Sequence, residues 1–365
     1  MAKKTVFYEL HRRAGGKMNE FAGYEMPVEY SGVNIEHINV REKAGIFDVS
    51  HMGEIWVKGP ASRDFVQKMT SNDVDKLTPG KIQYSCLPNK NGGIVDDLLV
   101  YHYEKDKYML VVNASNIKKD WDWLNENNSE GAILENASDD ISLLALQGPL
   151  ALKILQKLSD HDLSDIKYYH FRFGELAGIR DIIISNTGYT GAGGFELYFH
   201  NEKGPELWEK IMEAGKEFGL IPAGLAARDT LRLEMGFCLY GNDITDETSP
   251  IEAGLSWITR LNEHNHFIGR DIIEAHKNEG VNRILVGFEM QERGIPRQHY
   301  PVLSLYGEEI GEVTSGTLSP MTKKGIGLAY VKKSFSTEGT LINIGIRNKN
   351  LKAKIVKPPF YKKNV

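Results

Sequence analysis

The chain has 365 residues, of which 41% are apolar and 25% are charged, and its formal net charge is -5. This composition is ordinary for a globular protein of two or three domains. Because the excess charge is acidic and Lys and Arg are scattered among acids, nucleic acid is a poor partner. No stretch approaches the roughly 18 consecutive apolar residues of a membrane span, so no membrane partner is expected.

Two features of the sequence bear on compartment and metal content. The first residues, "MAKKTVFYELHRRAGG", have a basic start but lack the apolar segment of a secretory signal. The only cysteines are Cys86 and Cys238, which are too few for a four-ligand zinc site. Two thiols in a chain of this length favour a reducing compartment. We therefore expect a cytoplasmic protein that holds no metal.

Helices and strands are both predicted in the first two thirds of the chain. Periodic apolar positions predict helices at 33–45 (stopping at Gly45), 61–71, 116–127, 150–158, 204–219 and 223–236. The helix at 116–127 has Ser115 or Asn116 as its predicted N-cap. Apolar runs predict strands at 53–59, 94–103, 107–114, 141–149, 181–188 and 194–200. The polar segment 104–107 predicts a hairpin between two of these strands.

The pattern changes near residue 283, where short strands separated by turns replace the mixed pattern. These strands are predicted at 283–290, 301–307, 308–316, 325–333, 340–346 and 351–360. They indicate an all-β module, and a barrel is the closed form of such a module. The polar segment around 275–282 is the predicted boundary.

Two adjacent aspartates, Asp96 and Asp97, interrupt the apolar run "NGGIVDDLLVY". Neighbours in a strand point to opposite faces, and both faces are otherwise apolar here. At least one carboxylate is then expected away from bulk water, where an unpaired charge is unfavourable. It has to be paired, protonated, or opposite a cationic or hydrogen-bond-donating ligand. The alternative is that the pair marks the frayed start of the strand, caps the Gly92-Gly93 turn and touches solvent.

The glycine cluster "NTGYTGAGGFE" at 186–196 does not fit a nucleotide-binding loop. Its spacing differs from GxGxxG, and a strand rather than a helix N-terminus follows it. The glycines would let the backbone turn tightly and approach a flat ligand, with Tyr189 as a wall and Glu196 as a hydrogen-bonding floor. A plain hairpin with an exposed tyrosine is the alternative.

Two further segments carry candidate residues. In "AARDTLRLE", Arg228 and Arg232 lie one helical turn apart and could clamp a carboxylate, or pair with neighbouring acids on a solvated face. In "GIFDVSHMGE", Asp48 and His51 flank a turn, where a histidine is more often structural than catalytic.

Together these segments strongly resemble the aminomethyltransferase (T-protein) family of the glycine cleavage system along essentially the whole chain. The segments that carry the resemblance, in this order, are "MPVEY", "REKAGIFDVSHMGE", "SNDVDKL", "QYSCLPNKNGGIVDDLLVY", "LALQGP", "TGYTGAGGFE", "GLAARDTLRLEMG", "LYGNDI", "FIGRD", "TSGTLSP" and "IGLAYV". Each is weak alone, whereas their order and spacing are specific.

The resemblance implies an α+β fold, in which a folate-binding catalytic region at 1–276 precedes an antiparallel β-barrel at 277–365. The folate-binding region would consist of two intertwined α/β subdomains, about 1–50 with 138–240 and 51–137 with 241–276. The implied enzyme takes a one-carbon unit from the S-aminomethyldihydrolipoyl arm of lipoylated H-protein. It transfers the unit to tetrahydrofolate, its co-substrate, and gives 5,10-methylenetetrahydrofolate, ammonia and dihydrolipoyl H-protein, without a metal.

The resemblance also implies roles for individual residues. Asp96 matches the family's catalytic acid, which would stabilise positive charge developing at the transferred carbon, with Asp97 as a supporting or structural neighbour. Glu196 matches the acid that binds the donor-rich pterin ring, and Arg228 matches a folate-binding arginine. The remaining pocket candidates implied by the resemblance are Tyr84, Asn113, Tyr189, Tyr240 and, near the C-terminus, Tyr361.

Two alternatives share the expected fold. Folate-dependent demethylases of the same superfamily include the folate domains of sarcosine- and dimethylglycine-oxidising enzymes, which add an N-terminal flavin domain that we do not expect here. A non-catalytic folate-binding protein of iron–sulfur maintenance would carry a K-G-C-Y-x-G motif and lack the acidic pair. Here "EMGFCLYGND" stands in that region, and Cys238 is interpreted as a small buried side chain.

Overall fold

The computed structural model describes residues 2–362. The chain forms two compact units, each assembled from separate stretches. Unit 1 comprises Met1–Val66, Val74–Tyr84 and Leu98–Asp229, and unit 2 comprises Gln67–Asp73, Ser85–Asp97 and Thr230–Val365. The predicted division into regions 1–276 and 277–365, and the two subdomains within the first region, stay predictions.

The strands that precede the barrel are β1 (Lys3–Lys4), β2 (Lys17–Phe21), β3 (Tyr24–Glu29), β4 (Gly45–Asp48), β5 (Gly53–Lys58), β6 (Ile82–Pro88), β7 (Ile94–Glu104), β8 (Lys107–Val112), β9 (Ile133–Asn136), β10 (Ile141–Gln147), β11 (Phe171–Leu176), β12 (Ile179–Ser185), β13 (Gly194–His200) and β14 (Ile221–Pro222). The α-helices are α1 (Tyr8–Arg13), α2 (Val33–Glu42), α3 (Ser62–Met69), α4 (Ile117–Glu126), α5 (Ala151–Gln156), α6 (Gly204–Gly215), α7 (Leu225–Met235) and α8 (Arg270–Glu279). Within residues 2–362, no helix has the length and apolar character needed to cross a bilayer.

Each helix and strand predicted before residue 240 has a counterpart in the structure, with shifted ends. The helix predicted at 33–45 ends at Glu42, and Gly45 opens β4 instead of stopping the helix. Asn116 is the N-cap residue of α4, but its side chain makes no capping hydrogen bond. Several short elements were not predicted. One of them, β2, is almost wholly exposed and therefore lacks the apolar alternation that identifies a strand.

A six-stranded sheet forms the centre of unit 1, in the order β11-β12-β13-β10-β4-β14. The strand β10 lies between β13 and β4 and is antiparallel to both. Its run "ISLLALQ" is buried except at its first residue, as expected for a strand covered on both faces. The buried faces of α5 and α6 share one apolar core with Leu144 and Leu146 of β10.

A second sheet has the order β6-β7-β8-β5-β9. Its predicted hairpin is confirmed: β7 and β8 pair antiparallel, and the tight turn between them places Asp106 at a φ of 58°. An aspartate tolerates this left-handed conformation better than most residues do. The strand β7 contributes its first residues, including Asp96, to unit 2 and the rest to unit 1.

Unit 2 contains a closed barrel of six strands. They are β15 (Arg283–Met290), β16 (Pro301–Leu303), β17 (Glu309–Leu318), β18 (Gly325–Lys332), β19 (Leu341–Ile346) and β20 (Lys349–Val356). All neighbours pair antiparallel in the order β15-β18-β17-β16-β19-β20, and β20 returns to β15. Alternate residues such as Val286, Phe288 and Met290 fill the core. The predicted fold, a mixed α/β region followed by an antiparallel barrel, is confirmed.

A buried ion pair joins the end of α7 to the barrel within unit 2. Arg232, which is 2% exposed, donates to Asp243 at 2.8 Å, to the Ser315 hydroxyl at 2.9 Å and to the Phe237 carbonyl at 3.0 Å. Asp243 also accepts hydrogen bonds from the hydroxyls of Thr314 (2.5 Å) and Ser315 (3.0 Å). Two buried charges are tolerated here because hydrogen bonds compensate both of them.

Replacing Asp243 with Ala is expected to lower the free energy of unfolding by about 3–5 kcal/mol, because Arg232 would keep a buried charge without a counter-ion. Denaturant titration followed by intrinsic fluorescence measures this loss. The control Glu309→Ala removes an exposed carboxylate from β17 and should change the stability by less than about 0.5 kcal/mol. Equal losses in the two variants would show that the ion pair does not stabilise unit 2.

Candidate active site

Asp96 is the third residue of β7 and is fully buried, whereas its neighbour Asp97 is partly exposed. Two hydrogen bonds hold the backbone of Ile94, the first residue of β7. The Ile94 N–H donates to the Thr245 carbonyl at 3.2 Å. The Tyr240 hydroxyl donates to the Ile94 carbonyl at 3.1 Å. The interpretation of Asp96 as a solvent-exposed residue at a frayed strand end is therefore wrong. Tyr240, a predicted pocket residue, contacts the strand that carries Asp96.

Both cysteines lie in the same environment as this acidic pair. Cys86 and Cys238 are buried, as interpreted for Cys238 from the sequence. Burial raises the pKa of the Cys86 thiol well above its usual value, and the nearby charges of Asp97 and Asp96 add to the effect. Burial likewise raises the pKa of Cys238. Neither thiol has the lowered pKa of a reactive nucleophile.

Glu196 lies in β13 of unit 1 and is 8% exposed. One carboxylate oxygen, Oε2, accepts a hydrogen bond of 2.5 Å from the Thr187 hydroxyl. No other residue of the described range donates to the carboxylate, which leaves Oε1 available as an acceptor. Burial raises the pKa of Glu196, while the Thr187 hydrogen bond and the positive charge of Arg228 oppose that rise.

Arg228 lies in α7 with its guanidinium over the Tyr189 ring, 4.5 Å from the ring centroid. The start of the helix is fixed by Glu36, whose carboxylate accepts a 2.8 Å hydrogen bond from the Gly224 N–H. Gly224 also packs closely against β3, where a side chain would not fit because its Cβ would lie 2.2 Å from the Val28 carbonyl oxygen. Tyr189 and Arg228, both predicted as folate-binding, are thus in contact.

The two-arginine clamp considered for this helix is not formed. Arg232 is engaged by the buried Asp243 in unit 2, so it is neither available to a carboxylate ligand nor on a solvated face. Arg228 is only half-buried and stacks on Tyr189. Both arginines lie on one helix, as predicted, but they have different partners: Tyr189 for Arg228 and Asp243 for Arg232.

The glycine cluster forms the connection between β12 and β13, and no helix follows it, as predicted. Gln147, from "LALQGP", holds this connection: its amide donates to the Thr187 carbonyl at 3.1 Å and accepts from the Thr190 hydroxyl at 2.8 Å. Arg41 donates to the Thr190 carbonyl at 2.5 Å. A Cβ at Gly188 would lie 1.9 Å from the Gln147 side chain and would displace it from these hydrogen bonds. The loop that carries Tyr189 is therefore rigidly supported.

Asp48 belongs to a buried network rather than to an open site. It accepts hydrogen bonds from the Thr5 hydroxyl at 2.6 Å and the Ser50 N–H at 2.9 Å, and its Oδ2 lies 2.9 Å from Nε2 of His11. The other ring nitrogen of His11 is 2.8 Å from the Tyr30 hydroxyl. Burial would raise the pKa of Asp48, but these contacts outweigh it and lower the pKa. The network joins the N-terminal segment to β4.

His51 is also buried, with the edge of its ring against Phe21 at a centroid distance of 5.5 Å. Burial and the positive charge of Arg228 lower the pKa of His51 to about 4. The ring is therefore neutral at physiological pH, which suits apolar surroundings beside a cation.

For three other predicted site residues, Tyr84, Asn113 and Tyr361, the structure gives the position in the fold. Tyr84 lies in β6 and is half-buried. Asn113 follows β8 with an extended backbone (φ -68°, ψ 138°), and Tyr361 follows the barrel. Their assignment to a folate pocket stays a prediction, as do the roles of Asp96, Glu196, Arg228, Tyr189 and Tyr240.

The hydroxyl groups around Glu196 were not predicted from the sequence. Ser185 and Thr187 are two residues apart, and so are Glu196 and Tyr198; Ser185 lies directly opposite Glu196 across the β12–β13 pair. A strand period of two places Glu196 and Tyr198 on one face of β13, with Ser185 beside them, whereas Thr187 follows the end of β12. That spacing, "SNT" against "ELY", was the available signal.

Glu54 in β5 presents an unusual buried acid. Its side chain is fully buried, and within residues 2–362 neither carboxyl oxygen accepts a hydrogen bond. Its backbone N–H donates to the Ser138 hydroxyl at 3.0 Å, which fixes the strand but not the carboxyl group. Burial raises the pKa of Glu54 well above its usual value, so folding favours the neutral acid.

Known proteins resemble this chain over nearly its whole length. A family model described as the GCVT N-terminal domain matches residues 7–263, and one described as the glycine cleavage T-protein C-terminal barrel domain matches residues 283–362. An aminomethyltransferase of Bacteroides fragilis is 60% identical over 360 residues, which is 99% of this chain and 100% of the relative. One from Porphyromonas gingivalis is 58% identical over 361 residues, again 99% and 100%.

A solved structure shows the same likeness in three dimensions. The glycine cleavage system aminomethyltransferase T from Bartonella henselae superposes with a TM-score of 0.93 at 34% identity. The match covers 99% of this chain and 98% of that chain.

Glu54→Gln is expected to stabilise the protein more at pH 8 than at pH 5. In the unfolded chain Glu54 ionises near pH 4.3, whereas in the folded protein its pKa is higher. The protein therefore loses stability as the pH rises from the unfolded-state pKa through the folded-state pKa. Glutamine has no proton to lose and escapes this loss. Thermal melts should give a Tm difference that grows by several degrees between the two pH values.

The control for this measurement is Glu126→Gln, which changes an exposed carboxylate at the end of α4. Its Tm difference should be small and nearly the same at both pH values. A pH-independent difference for Glu54→Gln would mean that Glu54 ionises normally in the folded protein.

Proposed function

Because the chain belongs to the glycine cleavage T-protein family and is an aminomethyltransferase of the glycine cleavage system, we propose that lipoylated H-protein is its donor and tetrahydrofolate its acceptor. The family membership and enzyme class predicted from the sequence motifs are confirmed. The family implies the use of tetrahydrofolate. The proposed products are 5,10-methylenetetrahydrofolate, ammonia and dihydrolipoyl H-protein.

The observation that carries the mechanism is the complete burial of Asp96, which lies among the buried apolar residues at the start of β7. Tetrahydrofolate, when bound, supplies the nitrogen nucleophiles that accept the one-carbon unit. Positive charge develops at the transferred carbon as ammonia leaves. A carboxylate held away from water interacts strongly with such charge, because the surrounding dielectric is low and the carboxylate is already oriented. We assign this role to Asp96.

Asp96 is also a candidate for positioning the attacking nitrogen. A fixed carboxylate can accept a hydrogen bond from an N–H group and so align the nitrogen with the carbon it attacks. The strand start that carries Asp96 is anchored by Thr245 and Tyr240, which limits its movement. Asp97, partly exposed on the opposite face, is assigned a supporting role only.

Glu196 and Arg228 are proposed to bind the substrate rather than to react. The available Oε1 of Glu196 suits the N–H donors along one edge of a pterin ring. Tyr189 presents an aromatic face in the same part of unit 1, with Arg228 against it. A flat, donor-rich ring is complementary to an aromatic wall and a carboxylate acceptor, whereas a flexible aliphatic substrate is not.

Three further expectations from the sequence concern the partner, the location and the metal content. H-protein as the partner follows from the glycine cleavage system to which the family belongs. The cytoplasmic location stays a prediction, and so does the expectation that no metal is bound.

The reaction is tested by incubating the protein with aminomethylated H-protein and tetrahydrofolate, then assaying ammonia and methylenetetrahydrofolate. Equal amounts of the two products are expected, and omission of either substrate should abolish both. Folate-dependent release of a one-carbon unit from a free methylamine, with H-protein inactive, would support the demethylase alternative instead.

Asp96→Asn is expected to lower kcat about 100-fold or more while tetrahydrofolate still binds within a few-fold of the parent. The variant keeps the shape but loses the charge that acts on the transition state. The matched control Asp97→Asn should lower kcat far less. A normal kcat together with a collapsed folate affinity would reverse the role assigned to Asp96.

Glu196→Ala is expected to raise the Kd for tetrahydrofolate at least about tenfold, since a charge-assisted hydrogen bond contributes roughly 1.5–3 kcal/mol. Isothermal titration calorimetry measures the Kd directly. The control Glu202→Ala changes an exposed acid after β13 and should leave the affinity unaltered. Equal affinity of Glu196→Ala and the parent would remove Glu196 from the folate site.

A further inference from the structure

A continuous chain of hydroxyl groups leads away from the Glu196 carboxylate inside unit 1. The Thr187 hydroxyl is 2.5 Å from Oε2 of Glu196, and the Ser185 hydroxyl is 2.7 Å from that of Thr187. The Tyr101 hydroxyl lies 3.0 Å from that of Ser185, and the Tyr198 hydroxyl lies 2.9 Å from that of Tyr101. All four hydroxyl residues are at least 96% buried.

The strand register explains why these groups meet. Ser185 of β12 is the cross-strand partner of Glu196 in β13, and Ile183 is the partner of Tyr198. Glu196 and Tyr198 therefore share a face with Ser185, and the chain turns after β12 to bring Thr187 onto the carboxylate. Tyr101 comes from β7 and connects Ser185 to Tyr198.

The chain has only one consistent direction when Glu196 is ionised. A carboxylate can only accept, so Thr187 must donate its single hydroxyl proton to Oε2. Thr187 then accepts from Ser185, Ser185 accepts from Tyr101, and Tyr101 accepts from Tyr198. Each of the four hydroxyl protons is used once, and all point toward the carboxylate. Hydrogen bonds aligned in this way polarise one another and strengthen the last one.

We propose that Thr187, backed by Ser185, Tyr101 and Tyr198, is a positioning residue that fixes the Glu196 carboxylate by Oε2 and presents Oε1, ionised, to the substrate. The proposal rests on the proposed function of Glu196 as the pterin-binding acid. It assigns the hydroxyl residues no contact with the substrate. They act through Glu196, because they orient its carboxylate and stabilise its negative charge.

The charges and hydrogen bonds around Glu196 determine the direction in which its pKa should move when Thr187 is changed. Arg228 is the charged group that acts on Glu196. The titratable phenols around Glu196 belong to Tyr101, Tyr168, Tyr169 and Tyr198, and burial together with the negative charge of Glu196 raises the pKa of each of them. Burial raises the pKa of Glu196, and the Thr187 hydrogen bond and Arg228 counteract it. Removing the Thr187 donor must therefore raise the pKa further and reduce the ionised fraction at a given pH.

The test is Thr187→Val, which keeps the shape and removes the hydroxyl, compared with Thr187→Ser, which restores it. In Thr187→Val the Kd for tetrahydrofolate at neutral pH should rise about tenfold, and the acid limb of its pH profile should shift to higher pH. Thr187→Ser should recover both. The control Thr259→Val removes a buried hydroxyl of unit 2 that donates to the Leu255 carbonyl, and it should change neither.

A second measurement separates this proposal from the folate assignment. In protein labelled with carboxyl-¹³C glutamate, the resonance lost in Glu196→Gln identifies Glu196, and its titration is followed without any folate. Thr187→Val should move that titration to higher pH. Tyr198→Phe, which removes the far end of the chain and keeps Thr187, should move it in the same direction by less.

The two measurements together distinguish the positioning role of the hydroxyl residues from the pterin-binding role of Glu196. A shifted titration together with weakened folate binding supports the proposal and the role of Glu196. A shifted titration with unchanged folate affinity supports the hydroxyl chain but overturns Glu196 as the pterin-binding acid. An unshifted titration in both Thr187→Val and Tyr198→Phe overturns the positioning role, whatever the affinity.

Discussion

The cost of placing a carboxylate away from water is the constraint that organises this structure. Four buried acids, Asp243, Asp48, Glu36 and Glu54, differ in how far the protein compensates them. Asp243 pairs with Arg232 and two hydroxyls, and Asp48 with a histidine, a hydroxyl and a backbone N–H. Glu36 accepts four backbone N–H bonds, from Tyr30, Ser31, Gly32 and Gly224. Glu54 has no such partner among the described residues, and burial raises its pKa.

The hydrogen-bond partners distinguish acids that are fully occupied by the protein from the proposed substrate-binding acid, Glu196. Asp243, Asp48 and Glu36 have their oxygens occupied by the protein, so a ligand has nothing to gain there. Glu196 is intermediate: one oxygen is held by a donor chain, and the other is left to accept. A partly compensated acid beside a cation and an aromatic face is the arrangement expected where a substrate supplies the remaining hydrogen bonds.

The resemblance of motifs predicted Asp96, Glu196 and Arg228 as site residues, and this assignment stays a prediction. The period of apolar residues correctly placed the strands on which the two acids lie. Other features could not be predicted in this way. Tyr101 and Tyr198 are 97 residues apart, and Arg232 and Ser315 are 83 apart, so no local pattern indicates these contacts. Arg228 and Arg232 look equivalent in "AARDTLRLE", yet one stacks on Tyr189 and the other is buried against Asp243.

The sequence by itself determined the enzyme family, the strand and helix types and the succession of a mixed region and a barrel. These properties follow from local periodicity and from the order of short motifs, both of which are written along the chain. Only the tertiary structure decided which acids are compensated, which of the two arginines is fully buried, and which hydroxyls contact Glu196. The reason is physical: burial and hydrogen-bond partnership depend on segments that meet across the fold, and a residue's type fixes only what it can donate or accept.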